Sequence, residues 1–405
     1  MIDVKADLSL VILCVGVVIV LAMLAKSWLA RIGVPSLVAY ILLGLLLCHL
    51  DLRLGILSAE GQQIFDFLAQ VGIITLLFRI GLESKIGGLL SQLRRASLIW
   101  SVDVLFSGAV GYGVARWVLG YPPIACLFIA VALTATSVGV SVIVWKERNA
   151  LQSRPGELLI DVAELDDISA IILMALLFAV VPVLNEGSFD SVLWILLMAG
   201  GWLFIKLLAF GTGCALLAIY GERHLTHFFR KIESPPDPML TVAGLGFIIA
   251  ALAGWLGFSV AIGAFFAGLV FSRDPKALQI DRSFGALYDL FTPFFFIGIG
   301  LNINPSVLGE ALGPGAILVL VAFLGKLIGN GIPVLLTVGK TESLLLGFSM
   351  VPRAEIAMII MQRGLLLGSW AVPERAFAAM VMVSGVTCIA APWVVRTLLP
   401  RKRKG

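Results

Sequence analysis

Thirteen apolar runs, most of them about 20 residues long, follow one another along this chain. That is the length at which an α-helix crosses the hydrocarbon core of a bilayer. The runs fall at about 8–28, 34–51, 63–83, 96–118, 122–145, 157–183, 190–220, 238–255, 257–272, 284–303, 311–338, 341–363 and 374–399. Between 238–255 and 257–272 the only punctuation is Gly254 and Gly257. In hydrocarbon each backbone N–H and C=O must be satisfied without water, so runs of this kind are helices. Composition leaves no comfortable soluble alternative: 60% of residues are hydrophobic and 13% charged, where a soluble domain is about a quarter charged. The expected fold is an all-α polytopic membrane protein with about 13 transmembrane helices.

The distribution of basic residues supports that count. With the N-terminus outside, the inside loops and the tail hold nineteen Lys and Arg. They include Lys85, Arg94 and Arg95, Arg223, Arg230 and Lys231, and Arg401, Lys402, Arg403 and Lys404. The outside holds five: Lys5, Arg53, Arg116, Arg363 and Arg375. Cytoplasmic loops carry such an excess, and a miscounted span would have scrambled it. The net charge of +4 is therefore read as loop bias, and no nucleic-acid partner is expected. Cys14, Cys48, Cys126, Cys214 and Cys388 lie in or beside apolar runs without metal spacing, as buried free thiols do. His224 and His227 form an HxxH in a charged loop with no further ligand type beside it. The N-terminus has no strong positive cluster and no small-residue cleavage site, so it reads as the first span and not as a signal peptide.

Two segments repeat. GVPSLVAYILLGLLLC at 33–48 resembles GFSVAIGAFFAGLVFS at 257–272, and LLFRIGLES at 76–84 resembles FFFIGIGLN at 294–302. The offsets are 224 from Gly44 to Gly268 and 219 from Gly81 to Gly300. The pairing joins spans 2–6 to spans 9–13. Seven spans separate each pair, an odd number, so the two five-helix units are expected to lie inverted in the membrane, the arrangement of many secondary transporters.

An ionisable group inside a bilayer is costly and needs a reason. Span 6 holds Asp161, Glu164, Asp166 and Asp167. The first two sit in its opening turns, where anions are favoured; Asp166 and Asp167 lie deeper. Adjacent helical residues differ by about 100° in direction, so the two aspartates flank a crevice from different sides. Neighbouring carboxylates raise each other's pKa, which suits exchange of protons for a hard monovalent cation; salt bridges to other helices are the structural alternative. Lys326 sits mid-span in VAFLGKLIGNGIPVLL. Its first candidate partner is one of the two aspartates; Asp103, at nearly the matching repeat position, is the runner-up.

Spans 5 and 12, matched by the repeat, are both interrupted. ALTATSVGVSVIVW brings Thr134, Thr136, Ser137, Ser141 and Gly139 into the middle of a span. GFSMVPRAEIAMII contains Pro352, which removes a donor and disfavours helix just before it. Broken helices at matched positions of opposed repeats point to an ion site. Arg353 and Glu355 follow the break and are expected to neutralise its half-helix dipoles or to pair with each other.

Taken together, GLES (81–84), TATS (134–137), ELDDI (164–168), FFFIGIGL (294–301), GK (325–326) and MVPRAEIA (350–357) resemble the second branch of the monovalent cation/proton antiporter superfamily. Within it the chain is most similar to the sodium/proton antiporters with paired aspartates. The resemblance implies thirteen helices, a homodimer and a core holding two crossed, unwound helices. It implies Asp167 as the ion-binding aspartate, Asp166 as the preceding aspartate of electrogenic members, and Lys326 as the lysine that pairs with Asp166 until the cation displaces it. Thr136 and Ser137 fall on one crossover, with Pro352, Arg353 and Glu355 on the other; some relatives carry an acid at the position of Ser137, and Ala354 replaces a common glycine. The Kef-type potassium efflux branch has Gln-Asp instead of Asp-Asp and usually a cytosolic nucleotide-binding domain. No Gly-rich phosphate loop follows a strand here, so neither that C-terminal domain nor a cofactor is expected.

The expected function is electrogenic exchange of sodium, or lithium, for protons by alternating access, with sodium held at Asp166 and Asp167. The alternatives are potassium/proton exchange and a non-exchanging channel or sensor of the same fold. Helices at about 96–183 and 311–399 are expected to form the moving core and those at about 8–83 and 238–303 the dimer scaffold, with 190–220 as linker. Membrane lipids surround it, in the expected setting of a bacterial inner membrane with the C-terminus cytoplasmic.

Overall fold

The structure, a computed structural model, describes residues 4–31, 34–55, 57–83, 89–186, 192–221, 238–272 and 277–399. His224, His227, the loop residues Lys85, Arg223, Arg230, Lys231, Arg273 and Lys276, and the basic tail from Arg401 to Lys404 lie outside the described residues. Regular structure among the described residues is helical. The first helices are α1 (Val4–Arg31), α2 (Ser36–Leu54), α3 (Ala59–Glu83) and α4 (Leu89–Gly113), which runs on as a π-helical turn, Val114–Val118. Next come α5 (Pro123–Thr134), α6 (Val138–Glu147), α7 (Arg154–Glu186) and α8 (Val192–Leu216), which ends in a second π turn, Leu217–Gly221. Then follow α9 (Pro238–Trp255), α10 (Val260–Phe271) and α11 (Ala277–Leu301). The last are α12 (Leu308–Gly329), α13 (Gly331–Thr337), α14 (Lys340–Ser349), α15 (Glu355–Leu367) and α16 (Glu374–Leu398).

Eight stretches among the described residues are long and apolar enough to cross a membrane as they stand, with three shorter apolar helices besides. The expected thirteen crossings are not all reached by that measure, for local reasons. Helix α7 carries six carboxylates, and α14 and α15 are 10 and 13 residues long on either side of a break. Large apolar side chains such as Leu105, Trp117 and Leu336 stand more than two-thirds exposed on the helices. Water would penalise such surfaces, whereas lipid tails match them.

Local chemistry sets the boundaries. Pro123 opens α5, where its missing N–H costs nothing. The weakly punctuated boundary after Gly254 is a genuine turn: Gly257 takes φ +89°, the region open to glycine, and Ser259 then caps α10 by accepting the N–H of Ala261 at 3.2 Å. The run expected at 311–338 is divided at Asn330, one turn before Pro333, whose ring denies the helix an N–H donor.

The chain forms two compact units. One comprises residues 1–23, 50–86 and 178–298. In it α3 and α10 meet through glycine: a Cβ on Gly81 would collide with the carbonyl of Phe265 and the Cα of Gly268, and one on Gly268 with the carbonyl of Phe78. Phe78 packs its ring on Phe284 at 4.8 Å. The other unit comprises residues 24–49, 87–177 and 299–405. There α2 meets the end of α11 in the same manner, a Cβ on Gly300 falling on the carbonyl of Ile41 and the Cα of Gly44. The sequence repeat equates Gly44 with Gly268 and Gly81 with Gly300. Each glycine of one matched pair therefore meets a glycine of the other, Gly44 with Gly300 and Gly81 with Gly268.

Candidate functional site

The site lies in the second unit and is built on two helix breaks. Helix α5 stops at Thr134 and α6 starts at Val138, with Ala135 extended at φ −63°, ψ 133°. Helix α14 stops at Ser349 and α15 starts at Glu355. Both interruptions fall where hydroxyl-bearing residues and Pro352 weaken the helix. The N–H of Ser137 donates to the carbonyl of Pro352 at 2.8 Å, so each break satisfies part of the other.

The side chains complete this exchange. The hydroxyl of Ser137 donates to Glu355 Oε2 at 2.5 Å. Glu355 occupies the first turn of α15, where an anion offsets the positive end of the helix. Arg353 is buried, and its Nη1 donates to the carbonyl of Met350 at 3.1 Å, that of Pro352 at 3.4 Å and the hydroxyl of Thr136 at 3.3 Å. Its own N–H donates to Thr387 Oγ1 on α16 at 3.1 Å. These bonds tie Arg353 and Glu355 to the two helix breaks.

The ionic cluster adjoins the break of α5. Lys326 on α12 is fully buried. Its ammonium donates to Asp103 Oδ2 on α4, its shortest bond, to the carbonyl of Thr134 at 2.8 Å, and to Asp166 Oδ2 on α7 at 3.4 Å. The Thr134 carbonyl is one of those freed where α5 ends. The order of partners corrects the sequence expectation: the lysine reaches Asp166, but Asp103, the runner-up, is nearer. The cause is the packing of α12 on α4. A Cβ on Gly329 would lie 2.8 Å from the Cα of Asp103, and one on Gly325 would lie 3.1 Å from Ser107 Oγ. Two glycines one turn apart thus let the helices close until Asp103 comes within reach of Lys326.

Asp103 is fully buried and its Oδ1 accepts the hydroxyl of Ser107 at 3.1 Å. Asp166 is 1% exposed; its Oδ1 has no hydrogen-bond partner among the described residues. Its backbone carbonyl accepts the Ser169 hydroxyl at 2.9 Å, and that hydroxyl accepts the indole N–H of Trp100 at 2.8 Å. Asp167 follows on α7 at intermediate burial. The cluster therefore gathers hard oxygen donors at a helix break, with more carboxylates than ammonium groups to match them. That donor set suits a small hard cation or a proton. Asp103 is the one functional candidate undervalued by sequence reasoning; its signal was the repeat offset of 223 to Lys326.

Residues 17–400 match the family described as sodium/hydrogen exchanger, transmembrane. The chain is similar to the high-affinity Na(+)/H(+) antiporter NhaS3 of Synechocystis, at 28% identity over 368 residues covering 89% of this chain and 77% of the relative. It is also similar to the Na(+)/H(+) antiporter of Enterococcus hirae, at 28% identity covering 90% and 92% of the two chains. Among solved structures, the sodium proton antiporter MjNhaP1 of Methanocaldococcus jannaschii shares the fold, with a TM-score of 0.68 at 19% identity over 98% of this chain and 99% of that one.

Proposed function

The chain belongs to the sodium/hydrogen exchanger family, and we propose that it is a secondary antiporter exchanging sodium, or lithium, for protons at Asp166 and Asp167. The single observation that carries this reading is the buried Asp166 carboxylate beside the paired helix breaks, with one oxygen lacking a hydrogen-bond partner among the described residues. A buried carboxylate in that state is costly unless it is protonated or meets a cation. Occupation by one excludes the other, and that competition couples the two fluxes. Asp167, on the adjacent helical direction, is the principal sodium ligand in this reading, and Asp166 supplies the second carboxylate. Release of two protons for each sodium ion bound would move net charge, making the exchange electrogenic.

Alternating access follows from the crossover. Helices at about 96–183 and 311–399 carry the site and move, while those at about 8–83 and 238–303 form the scaffold of a homodimer, with 190–220 as linker. Arg353 and Glu355 keep the broken ends neutral, so that cation charge is felt at the aspartates and not at the dipoles. The chain is read as a bacterial inner-membrane transporter rather than an enzyme, with its C-terminus cytoplasmic.

The test is proton flux from proteoliposomes challenged in turn with sodium, lithium and potassium, with and without a valinomycin voltage clamp. Flux with sodium or lithium that responds to voltage is expected. Flux with potassium alone would reassign the cation, and no flux with any of the three would refute exchange.

A further inference from the structure

Exchange at Asp166 and Asp167 leaves another carboxylate, the fully buried Asp103, without a task. We propose that Asp103 is the standing counter-ion of Lys326: it holds the ammonium on the α4 side of the cluster, so that Asp166 presents an oxygen to sodium with no lysine to displace. The inference rests on the exchange reading and assigns a positioning role to a residue outside the Asp166–Asp167 pair.

Four observations carry it. First, the three donors of an ammonium are spent unequally: on Asp103 at the shortest separation, on the Thr134 carbonyl at 2.8 Å, and on Asp166 only at 3.4 Å. Second, Asp103 is fixed. Its Oδ1 takes the Ser107 hydroxyl, and Gly329 packs so closely that a Cβ there would lie 2.9 Å from that same oxygen. Asp166 Oδ1 has no such partner.

Third, one ammonium faces two buried carboxylates. Were Lys326 committed to Asp166, Asp103 would keep a buried negative charge hydrogen-bonded only to the Ser107 hydroxyl, with the Arg353 guanidinium acting from a longer range, a costly arrangement for a buried charge. Committed to Asp103, the lysine leaves the uncompensated charge on Asp166, where a cation can neutralise it. Fourth, Asp103 and Lys326 stand at an offset of 223, between the values of 224 and 219 that relate the repeats. Equivalent residues that touch straddle the two-fold axis relating their halves. In an inverted repeat that axis lies in the membrane plane. A pair on it belongs to both repeats alike and travels with the core as one unit.

The experiment measures apparent KM for sodium and turnover in proteoliposomes, and the sodium-induced shift in melting temperature in detergent, for four proteins. They are wild type, Asp103→Asn, Lys326→Gln and the double variant. In Asp103→Asn the ammonium has only Asp166 left and competes with sodium. If it occupies Asp166 in about nine molecules of ten, apparent KM rises about tenfold, while turnover at saturating sodium changes far less. Removing the ammonium as well returns KM to within about threefold of wild type, a rescue that a purely structural role of Asp103 would not give. An unchanged KM in Asp103→Asn overturns the inference, as does a raised KM that persists in the double variant. If Asp103→Asn does not fold, the double variant decides, since it leaves no orphan charge at Asp103: its KM stays within about threefold of wild type if the lysine never competed, and falls about tenfold if the lysine belonged to Asp166. A wild type without sodium-driven proton flux overturns the exchange reading instead. A normal wild type beside an unaltered Asp103→Asn overturns only the present inference.

Discussion

Ser137 and Pro352 meet backbone to backbone across the two helix breaks, the N–H of one donating to the carbonyl of the other at 2.8 Å. Among the described residues neither group bonds to the backbone of its own interrupted helix, the Pro352 carbonyl taking only Arg353 Nη1 at 3.4 Å besides, and no water is at hand in a bilayer core. Each break therefore needs the other. The side chains that follow in sequence reinforce the meeting, Ser137 on Glu355 and Arg353 on Thr136.

Ser137→Ala tests that dependence. It deletes the hydroxyl that donates to Glu355 at 2.5 Å and leaves a partly buried carboxylate oxygen short of a bond. The expected loss is about 1–3 kcal/mol of stability, read as a lowered melting temperature in detergent. Adding Glu355→Gln should return part of it, because the remaining group is then neutral. A melting temperature equal to wild type would show that the Ser137–Glu355 bond contributes nothing.

Gly329→Ala tests the close approach of α12 to α4. The new methyl would sit 2.8 Å from the Cα of Asp103, and such overpacking costs about 1–3 kcal/mol. Gly139 on α6 is the control: a Cβ there meets nothing within 4 Å, so Gly139→Ala should be neutral or add up to about 1 kcal/mol. Equal melting temperatures for the two variants would contradict the packing described.

Lys326→Ala leaves Asp103 and Asp166 buried without their ammonium, at a cost of about 3–5 kcal/mol. A double-mutant cycle on melting temperature identifies the main partner. Asp103→Asn in the Lys326→Ala background should recover more stability than Asp166→Asn does, since the ammonium lies nearer Asp103. The opposite order would restore Asp166 as the lysine's principal partner.

The two breaks were legible in the sequence because their causes are local. Pro352 lacks a donor wherever it stands, and Thr134, Thr136 and Ser137 compete with helix through their own hydroxyls. The glycines of the repeat were legible as a pattern, Gly44 with Gly268 and Gly81 with Gly300, but not as contacts; that Gly44 meets Gly300, and Gly81 meets Gly268, needs the chain folded. The partner of Lys326 was not legible. Helical periodicity places Asp103 and Asp166 on spans that can face the lysine, yet the order between them turns on how closely α12 approaches α4, set by Gly325 and Gly329. The division at Asn330 was missed because Pro333 lies inside an otherwise unbroken apolar run.

Whether sodium is carried on Asp167 is settled most directly by sodium-driven proton flux in proteoliposomes bearing Asp167→Asn at wild-type protein density. With the carboxylate replaced by an amide, flux should fall to the level of empty liposomes while the protein keeps a cooperative melting transition. Flux at the wild-type rate in that variant would contradict the assignment of Asp167 as the sodium ligand.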